Sequence, residues 1–380
     1  MISLTEEEKL VQETARDFAD KELKPIAGEI DRKGAIPKEI LQKMAELGFM
    51  GVTTPEEYGG AGLSNLCLAL IQMEINRGCA SSGVTMSVHN SLVQAPLLKY
   101  GTEEQKKEYL PKLARGEWIG AYSLSEPVSG SDAGALITSA TKEGDHYVLN
   151  GAKNFVTNGG IADLFTVFIR TNADKSVKHN AISAFLVKRG TEGFTVGPPE
   201  KKMGIRGSTT TTLYFDNCRI PAANLLGAEG EGFKVAMTTL DGGRIGIASQ
   251  AVGIAKAAMG EAVKYAKERK QFNNPLAKFQ AIQIKIANMA TDIDAAQLLI
   301  LRATRMRDEG IVHSKEAAMA KLFSSDMLNR HVTQALQIHG GAGYIKDFPI
   351  ERHFRDAKIT ELYEGTSEVQ RIVIARNALK

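Results

Sequence analysis

Residues 146–157 read HYVLNGAKNFVT, and their reading decides the fold. Tyr147, Val148 and Leu149, then Asn150-Gly151, then Asn154 to Thr157 predict two strands joined by a tight hairpin, because Asn-Gly tolerates the positive φ angles of a two-residue turn. Further β-rich runs follow at Leu164 to Thr171, Ala181 to Val187, and through four threonines to Leu213, Tyr214 and Phe215, with Gly and Pro between them. The spacing predicts an antiparallel β domain over 118–221. On both sides the period is helical. Leu10, Val11, Ala15, Phe18 and Ala19, and then Ile40, Met44 and Leu47, recur at three- and four-residue steps. Thr5 and Glu8 have the capping-box form, and segments 64–77, 86–99 and 103–113 continue the pattern. After Pro221 the chain is helical over about 232–270, 275–309 and 314–339, with a last helix near Thr366, where Ser367 and Gln370 suggest a second capping box. The expected fold is α+β and multidomain: a helical N-terminal domain (1–117), the central β domain (118–221) and a C-terminal four-helix bundle (222–380).

Composition narrows the function classes. The 380 residues carry 47 basic and 44 acidic side chains, a net charge of +3, too small for a nucleic-acid footprint. At 43% hydrophobic and 24% charged, the chain is of ordinary globular type and not a disordered one. No window approaches 18 uninterrupted apolar residues, so no membrane span is expected. Cys67, Cys79 and Cys218 are odd in number and widely spaced. They indicate neither a disulfide framework nor a zinc site, and they fit a reducing compartment. The opening residues lack the form of a secretory signal, so the expected location is cytoplasmic.

Several segments bear chemistry. Glu364 lies just before a helix start, after Ile359, Leu362 and Tyr363. Apolar walls raise a carboxylate's pKa and make it a stronger base, whereas a helix N-terminus favours the anion. A solvated turn carboxylate is the alternative, and spacing alone does not choose. The run 121–134, AYSLSEPVSGSDAG, suits either a polar heterocycle or phosphate, or an ordinary connecting loop. Gln337 to Tyr344 is either a helix end or a place where backbone meets a cofactor. It lacks the Gly-x-Gly-x-x-Gly form of a dinucleotide site. Arg269 is a phosphate fork or part of a solvated charge run. Gly242 and Gly243 interrupt a helix at about 1 kcal/mol each, which calls for close packing or a ligand. His89, His331 and His339 have no metal-ligand spacing.

Taken in chain order these segments resemble the acyl-CoA dehydrogenase family from about residue 3 to the end. Four tracts carry the resemblance: AYSLSEPVSGSDAG (121–134), NGAKNFVTNGG (150–160), ERKQF (268–272), and QIHGGAGY (337–344) with RDAKITELYEGTSEVQR (355–371). Within the family the chain looks most like bacterial short-chain, or butyryl-CoA, members. The resemblance implies an FAD enzyme that forms a trans-2-enoyl-CoA, with Glu364 removing the α-proton, flavin N5 taking the β-hydride, and electrons passing to electron-transfer flavoprotein.

Carried over by position, Tyr122, Leu124, Ser125, Ser131, Phe155, Val156 and Thr157 would meet the flavin. Phe155 stands where the family more often has tryptophan. Arg269, Phe272, Gln280, Gln337 and Gly341 would reach a neighbouring subunit's FAD in a homotetramer built as a dimer of dimers. Thr366 and Glu368 would meet its dinucleotide end. Ser131, Asp241, Gly242, Gly243, Arg244, Tyr363 and Gly365 would line the acyl-CoA site. Isovaleryl- and long-chain-type members place their base where this chain has Gly243. Gly83, ahead of Met86-Ser87-Val88, replaces the arginine by which glutaryl-type members hold a second carboxylate. The alternatives are a medium- or branched-chain dehydrogenase, an acyl-CoA oxidase, and a catalytically silent scaffold of the same fold.

Overall fold

The computed structural model describes residues 4–174 and 176–380, so the first three residues of the expected 1–117 domain lie outside the described residues. The N-terminal part is built from α1 (Glu6–Phe18), α2 (Ala27–Lys33), α3 (Lys38–Glu46), α4 (Asn65–Gly78), α5 (Ala80–Val88), α6 (Ala95–Tyr100) and α7 (Glu103–Ala114). The Thr5–Glu8 capping box forms as expected: the Thr5 hydroxyl accepts from Glu8 N–H, and the Glu8 carboxylate accepts from Thr5 N–H. A second box, Thr102 with Gln105, opens α7.

Where sequence spacing predicts a plain helix over 86–99, α5 instead runs into a π-helical turn, His89–Gln94, before α6. The side chains of that turn explain it. Asn90 donates to Phe49 C=O and accepts from Val52 N–H, while Gln94 donates to Met50 C=O. They satisfy the backbone of a buried connection that has no regular partners of its own.

The central sheet contains β1 (Gly120–Ser123), β2 (Ser139–Glu143), β3 (His146–Thr157), β4 (Leu164–Arg170), β5 (Ile182–Lys188), β6 (Phe194–Val196), β7 (Thr210–Pro221) and β8 (Leu225–Leu226). Its order is β6-β7-β3-β2-β4-β5-β8, with β1 also on β4. Most pairings are antiparallel, but β1 and β2 run parallel to β4, which a connection of a dozen or more residues permits. These two strands lie end to end along one edge of β4, so the Ser/Gly-rich segment 124–138 leaves the sheet between them. The sheet also takes in β8, beyond residue 221.

The predicted hairpin at Asn150-Gly151 is absent. Residues 146–157 form one continuous strand, and the turn falls earlier, at Gly144-Asp145, between β2 and β3. Gly144 has φ 63° at the first central position, the position that a type II′ turn assigns to glycine. Gly151 marks a register shift in the β3–β7 pairing. A β-carbon there would lie 2.7 Å from Thr138 Oγ1, so the glycine serves a bulge and a close approach and not a turn.

The C-terminal part contains α8 (Gly232–Glu268), the short strands β9 (Lys270–Gln271) and β10 (Asn274–Pro275), α9 (Gln280–Asp308), α10 (Ser314–His339), α11 (Ile350–Ala357) and α12 (Ser367–Ala378). The expected helix from 275 begins only at Gln280, because residues 270–275 form a hairpin with positive φ at Phe272 and Asn273. The last helix is capped by Thr366, whose hydroxyl accepts from Val369 N–H. Ser367 is therefore not the cap, and Gln370 turns inward instead.

Helices α8, α9, α10 and α12 form the bundle, and α4 packs against α8 from the N-terminal side. Its core is rich in alanine (Ala248, Ala251, Ala255, Ala258, Ala317, Ala320), which lets the helices approach closely. Asp308 of α9 accepts from the first backbone N–H groups of α4, at Asn65 and Leu66, and so ties the two helical parts together. A β-carbon on Gly253 of α8 would lie 2.4 Å from Met73 C=O in α4. Gly253→Ala should therefore lower stability by about 1–3 kcal/mol, seen as a lower urea midpoint at unchanged slope.

Candidate active site

Glu364 sits on a two-residue kink between α11 and α12. Its φ is 53°, and that of Gly365 is 92°. A non-glycine residue in the left-handed region costs about 1–3 kcal/mol and persists only where its surroundings hold it. They do so here. Lys321 Nζ donates to Gly365 C=O at 2.8 Å, and Gln370 Nε2 donates to the same oxygen at 2.8 Å and to Glu364 C=O at 3.2 Å. The kink turns the carboxylate toward α8. There a β-carbon on Gly243 would stand 2.0 Å from Glu364 Oε2. Glycine at 243 is thus what admits the carboxylate, and this packing accounts for a glycine in mid-helix.

The surroundings of the carboxylate are mostly apolar. Leu92 approaches the same spot on Gly243, and Tyr122 and Tyr363 pack against Val84, Val88, Leu92 and Ile205. Glu364 Oε2 is buried without a hydrogen-bond partner, as is the Tyr122 hydroxyl. Burial raises the Glu364 pKa to about 7, against a downward pull from Arg244 and Lys321. Burial also pushes the Tyr122 and Tyr363 phenols well up, and the Glu364 charge adds to both. The Tyr363 hydroxyl donates to Gln250 Oε1. Arg244 is buried and pairs with Asp241 at 2.7 Å, and Ser314 donates to the other Asp241 oxygen. The arrangement is that of a general base near neutrality: a carboxylate with a free oxygen, little water and cations close enough to keep it ionisable.

A second cluster lies where segment 124–138 meets β3. Lys153 and Glu126 form a fully buried ion pair at 2.8 Å. Glu126 also accepts from the N–H groups of Ile137 and Thr138, and Lys153 donates to Leu124 C=O. Asn154 N–H donates to Ser125 C=O. Burial draws the Lys153 ammonium down to about 8 against the pull of Glu126. Beside this clamp, Phe155 has φ 56° and is 71% exposed, a bulky aromatic held in a strained conformation and presented outward. Val156 is buried, Leu124, Ser125 and Thr157 are half-buried, and Ser131 is exposed. An exposed aromatic face flanked by hydroxyls and main-chain polar groups, on a strand packed against β1 with its orphaned Tyr122 phenol, fits a flat polar heterocycle such as isoalloxazine.

The structure brings Tyr122, Gly243, Arg244, Tyr363 and Gly365 around Glu364, with Asp241 behind Arg244, whereas Gly242 faces away, toward the Arg307 guanidinium of α9. Arg269, Phe272, Gln280, Gln337 and Gly341 lie on the exterior, with Phe272 86% exposed. Thr366 caps α12, and Glu368 is exposed in its first turn. Sequence reasoning does not find Lys321, Gln370 or the Lys153–Glu126 pair. Lys321 falls on the buried stripe Ala317, Ala320, Ser324, Leu328 of α10, and a lysine on such a stripe signals a partner. Lys153 occupies an inward position of β3, but the bulge at Gly151 breaks the alternation that would reveal it.

Similarities to known proteins accord with this geometry. The acyl-CoA dehydrogenase N-terminal, middle and C-terminal domain models match residues 5–117, 121–218 and 230–379. The mitochondrial short-chain specific acyl-CoA dehydrogenase of Bos taurus is 51% identical over 379 residues, covering 100% of this chain and 92% of the relative. A 3-(aryl)acrylate reductase of Clostridium sporogenes is 50% identical, covering 99% of each chain. Among solved structures, the butyryl-CoA dehydrogenase of Megasphaera elsdenii superposes with a TM-score of 0.97 at 44% identity, covering 100% of both chains. A chain from work on the electron transferring flavoprotein of Acidaminococcus fermentans has a TM-score of 0.98 at 47% identity, again covering 100% of both. The chain belongs to the acyl-CoA dehydrogenase family, whose members are FAD-dependent oxidoreductases.

Two outcomes follow from the buried charges. Lys153→Met leaves Glu126 buried and uncompensated, and should cost about 3–5 kcal/mol in a denaturant titration, with weaker FAD retention. Glu364 binds its proton more tightly folded than unfolded, so between about pH 4.5 and 7 its contribution lowers stability as pH rises. Glu364→Gln should therefore melt higher than wild type at pH 8, by up to about 3 kcal/mol, with the difference gone near pH 4.

Proposed function

We propose that this member of the family dehydrogenates a short-chain, butyryl-like acyl-CoA to its trans-2-enoyl-CoA, with Glu364 as the base. The observation that carries the assignment is the buried, unpartnered Glu364 Oε2, held against Gly243. Tyr122 to Ser131 with Phe155 to Thr157 would hold the flavin ring, and FAD, when bound, supplies the two-electron acceptor for the hydrogen leaving the β-carbon.

The remaining work falls to the chain itself. Glu364 Oε2 takes the proton from the α-carbon. The Glu364 main-chain N–H donates to the thioester carbonyl and favours the enolate character that develops as the proton leaves. Tyr122, Tyr363 and Leu92 exclude water, which keeps the base strong. Arg244 and Lys321 limit the rise in its pKa, so that a substantial share of it is ionised at neutral pH. Asp241, through Arg244, would position that cation, and Ser131 would face the CoA arm.

The names of the bovine and Megasphaera relatives support the short-chain substrate. The acceptor is electron-transfer flavoprotein, since no nicotinamide fingerprint occurs in the sequence and a near-identical fold comes from work on such a protein. A second reading, reduction of an acrylate, draws on the reductase relative and is separated by assaying both directions. The assembly proposed is a homotetramer in which Arg269, Phe272, Gln280, Gln337 and Gly341 reach a partner's FAD and Thr366 and Glu368 meet the dinucleotide; the outward aromatic Phe272 supports it. Domain limits of 1–117, 118–221 and 222–380 accord with the spans of the three family models. A cytoplasmic location accords with three free cysteines. No helix among the described residues is long and apolar enough to cross a membrane.

Anaerobic titration with butyryl-CoA should bleach the flavin band, and Glu364→Gln should bind FAD and acyl-CoA but slow bleaching by roughly 10²–10⁴-fold. Near-wild-type bleaching by that variant would remove Glu364 from the mechanism. The wild-type rate should climb with pH through about 7 and then level, because the base must be deprotonated. In a C4 to C12 series, an optimum at C8 would overturn the short-chain assignment. Arg269→Ala should lose FAD and oligomer together.

A further inference from the structure

The segment Lys202–Ser208, between β6 and β7, carries none of the residues assigned above, yet it reaches the site. Its central residue, Ile205, is 4% exposed and clusters with Val84, Val88 and Leu92 of α5 and the π-helical turn, against Tyr122, Ile359 and Tyr363. Leu92 shares with Glu364 the narrow space at Gly243, and Tyr363 is next to the base in sequence. This apolar cluster therefore begins at the carboxylate, and Ile205 closes it from another part of the chain.

Ile205 is also locked by its backbone. Its φ is 49°, which is a steric outlier for a β-branched residue. The buried Asp356 carboxylate accepts its N–H at 2.5 Å. On one side, a β-carbon on Gly204 would meet Arg355 C=O of α11 at 2.4 Å. On the other, Gly207 N–H donates to Ser81 Oγ of α5 at 3.1 Å, and Lys202 Nζ donates to Ser208 C=O at 2.6 Å. The segment thus has glycine where neighbours crowd it, at 204 and 207. At 205, where glycine would relieve the backbone, it has a branched apolar side chain directed into the cluster.

We infer that Ile205 is the chain-length stop of the acyl site, a side chain fixed by its own main chain and by Asp356 so that a longer acyl tail cannot displace it. The inference rests on Glu364 being the base of an acyl-CoA site. A flexible side chain in this place would move aside for a longer tail at little cost. One anchored from α5, α11 and its own strained backbone does not, and discrimination by such a wall grows with each added methylene.

The test uses the FAD-loaded enzyme with Ile205→Gly, which suits the positive φ, and with Ile205→Ala, which retains a β-carbon. Specificity constants are measured for butyryl-CoA and octanoyl-CoA, and the affinities of both thioesters by anaerobic calorimetry. The expected result is a rise of about tenfold or more in the octanoyl-to-butyryl ratio of kcat/KM, matched by relatively tighter octanoyl-CoA binding. An unchanged or lowered ratio in both variants, while butyryl-CoA still bleaches the flavin, would overturn the role of Ile205 and leave Glu364 standing. Failure of butyryl-CoA to bleach the parent enzyme would overturn the functional reading and this inference with it.

Discussion

One carboxylate has been brought to a helix backbone at a point where no side chain intervenes, and most of the site's construction answers to that approach. Gly243 opens the space on α8, and the kink at Glu364-Gly365 aims the oxygen into it. Lys321 and Gln370 hold the kink by its carbonyls. Without those two donors the positive φ at Glu364 would relax and the oxygen would move toward solvent, where its proton affinity is that of an ordinary glutamate. The anchoring donors come from α10 and α12, so the position of the base depends on the packing of the whole bundle.

The flavin side shows the same economy of parts. A single buried ion pair, Lys153–Glu126, gathers the ends of segment 124–138 and the middle of β3 into one unit. Such pairs contribute little net stability relative to an apolar pair of the same shape, yet removing one partner is severe. They fix a loop in one arrangement, and here that arrangement places Phe155 outward beside the hydroxyl-bearing run.

Much of this architecture is legible in the amino-acid sequence. Helical periodicity locates α1, α4, α8 and α10 to within a few residues, and the Thr5–Glu8 box stands at its true position, because those signals are local. Glu364 is marked by its motif and its apolar neighbours. The departures share a cause. Asn150-Gly151 is a turn signal that a long-range approach by Thr138 converts into a bulge. Asn90 and Gln94 serve a connection some 40 residues away, and this winds a regular helix into a π turn. Lys321, Lys153 and Ile205 escape a sequence reading because their roles exist only once distant segments meet. Local pattern specifies elements, and burial of polar groups decides what happens where elements touch.

The π turn has a consequence for how the chain can vary. It is in effect one residue more than a regular helix needs, inserted between Val88 and Ala95. Deleting that one position would let the segment rewind as a regular α-helix, with the residues before and after it keeping nearly the same facing. Val84 and Val88 before it, and Leu97 packed against the sheet after it, would keep their facing, whereas Asn90 and Gln94 would be re-aimed away from residues 49–54. A homologue one residue shorter here can therefore keep the same seam between its first two domains, provided it satisfies the backbone of residues 49–54 by other means.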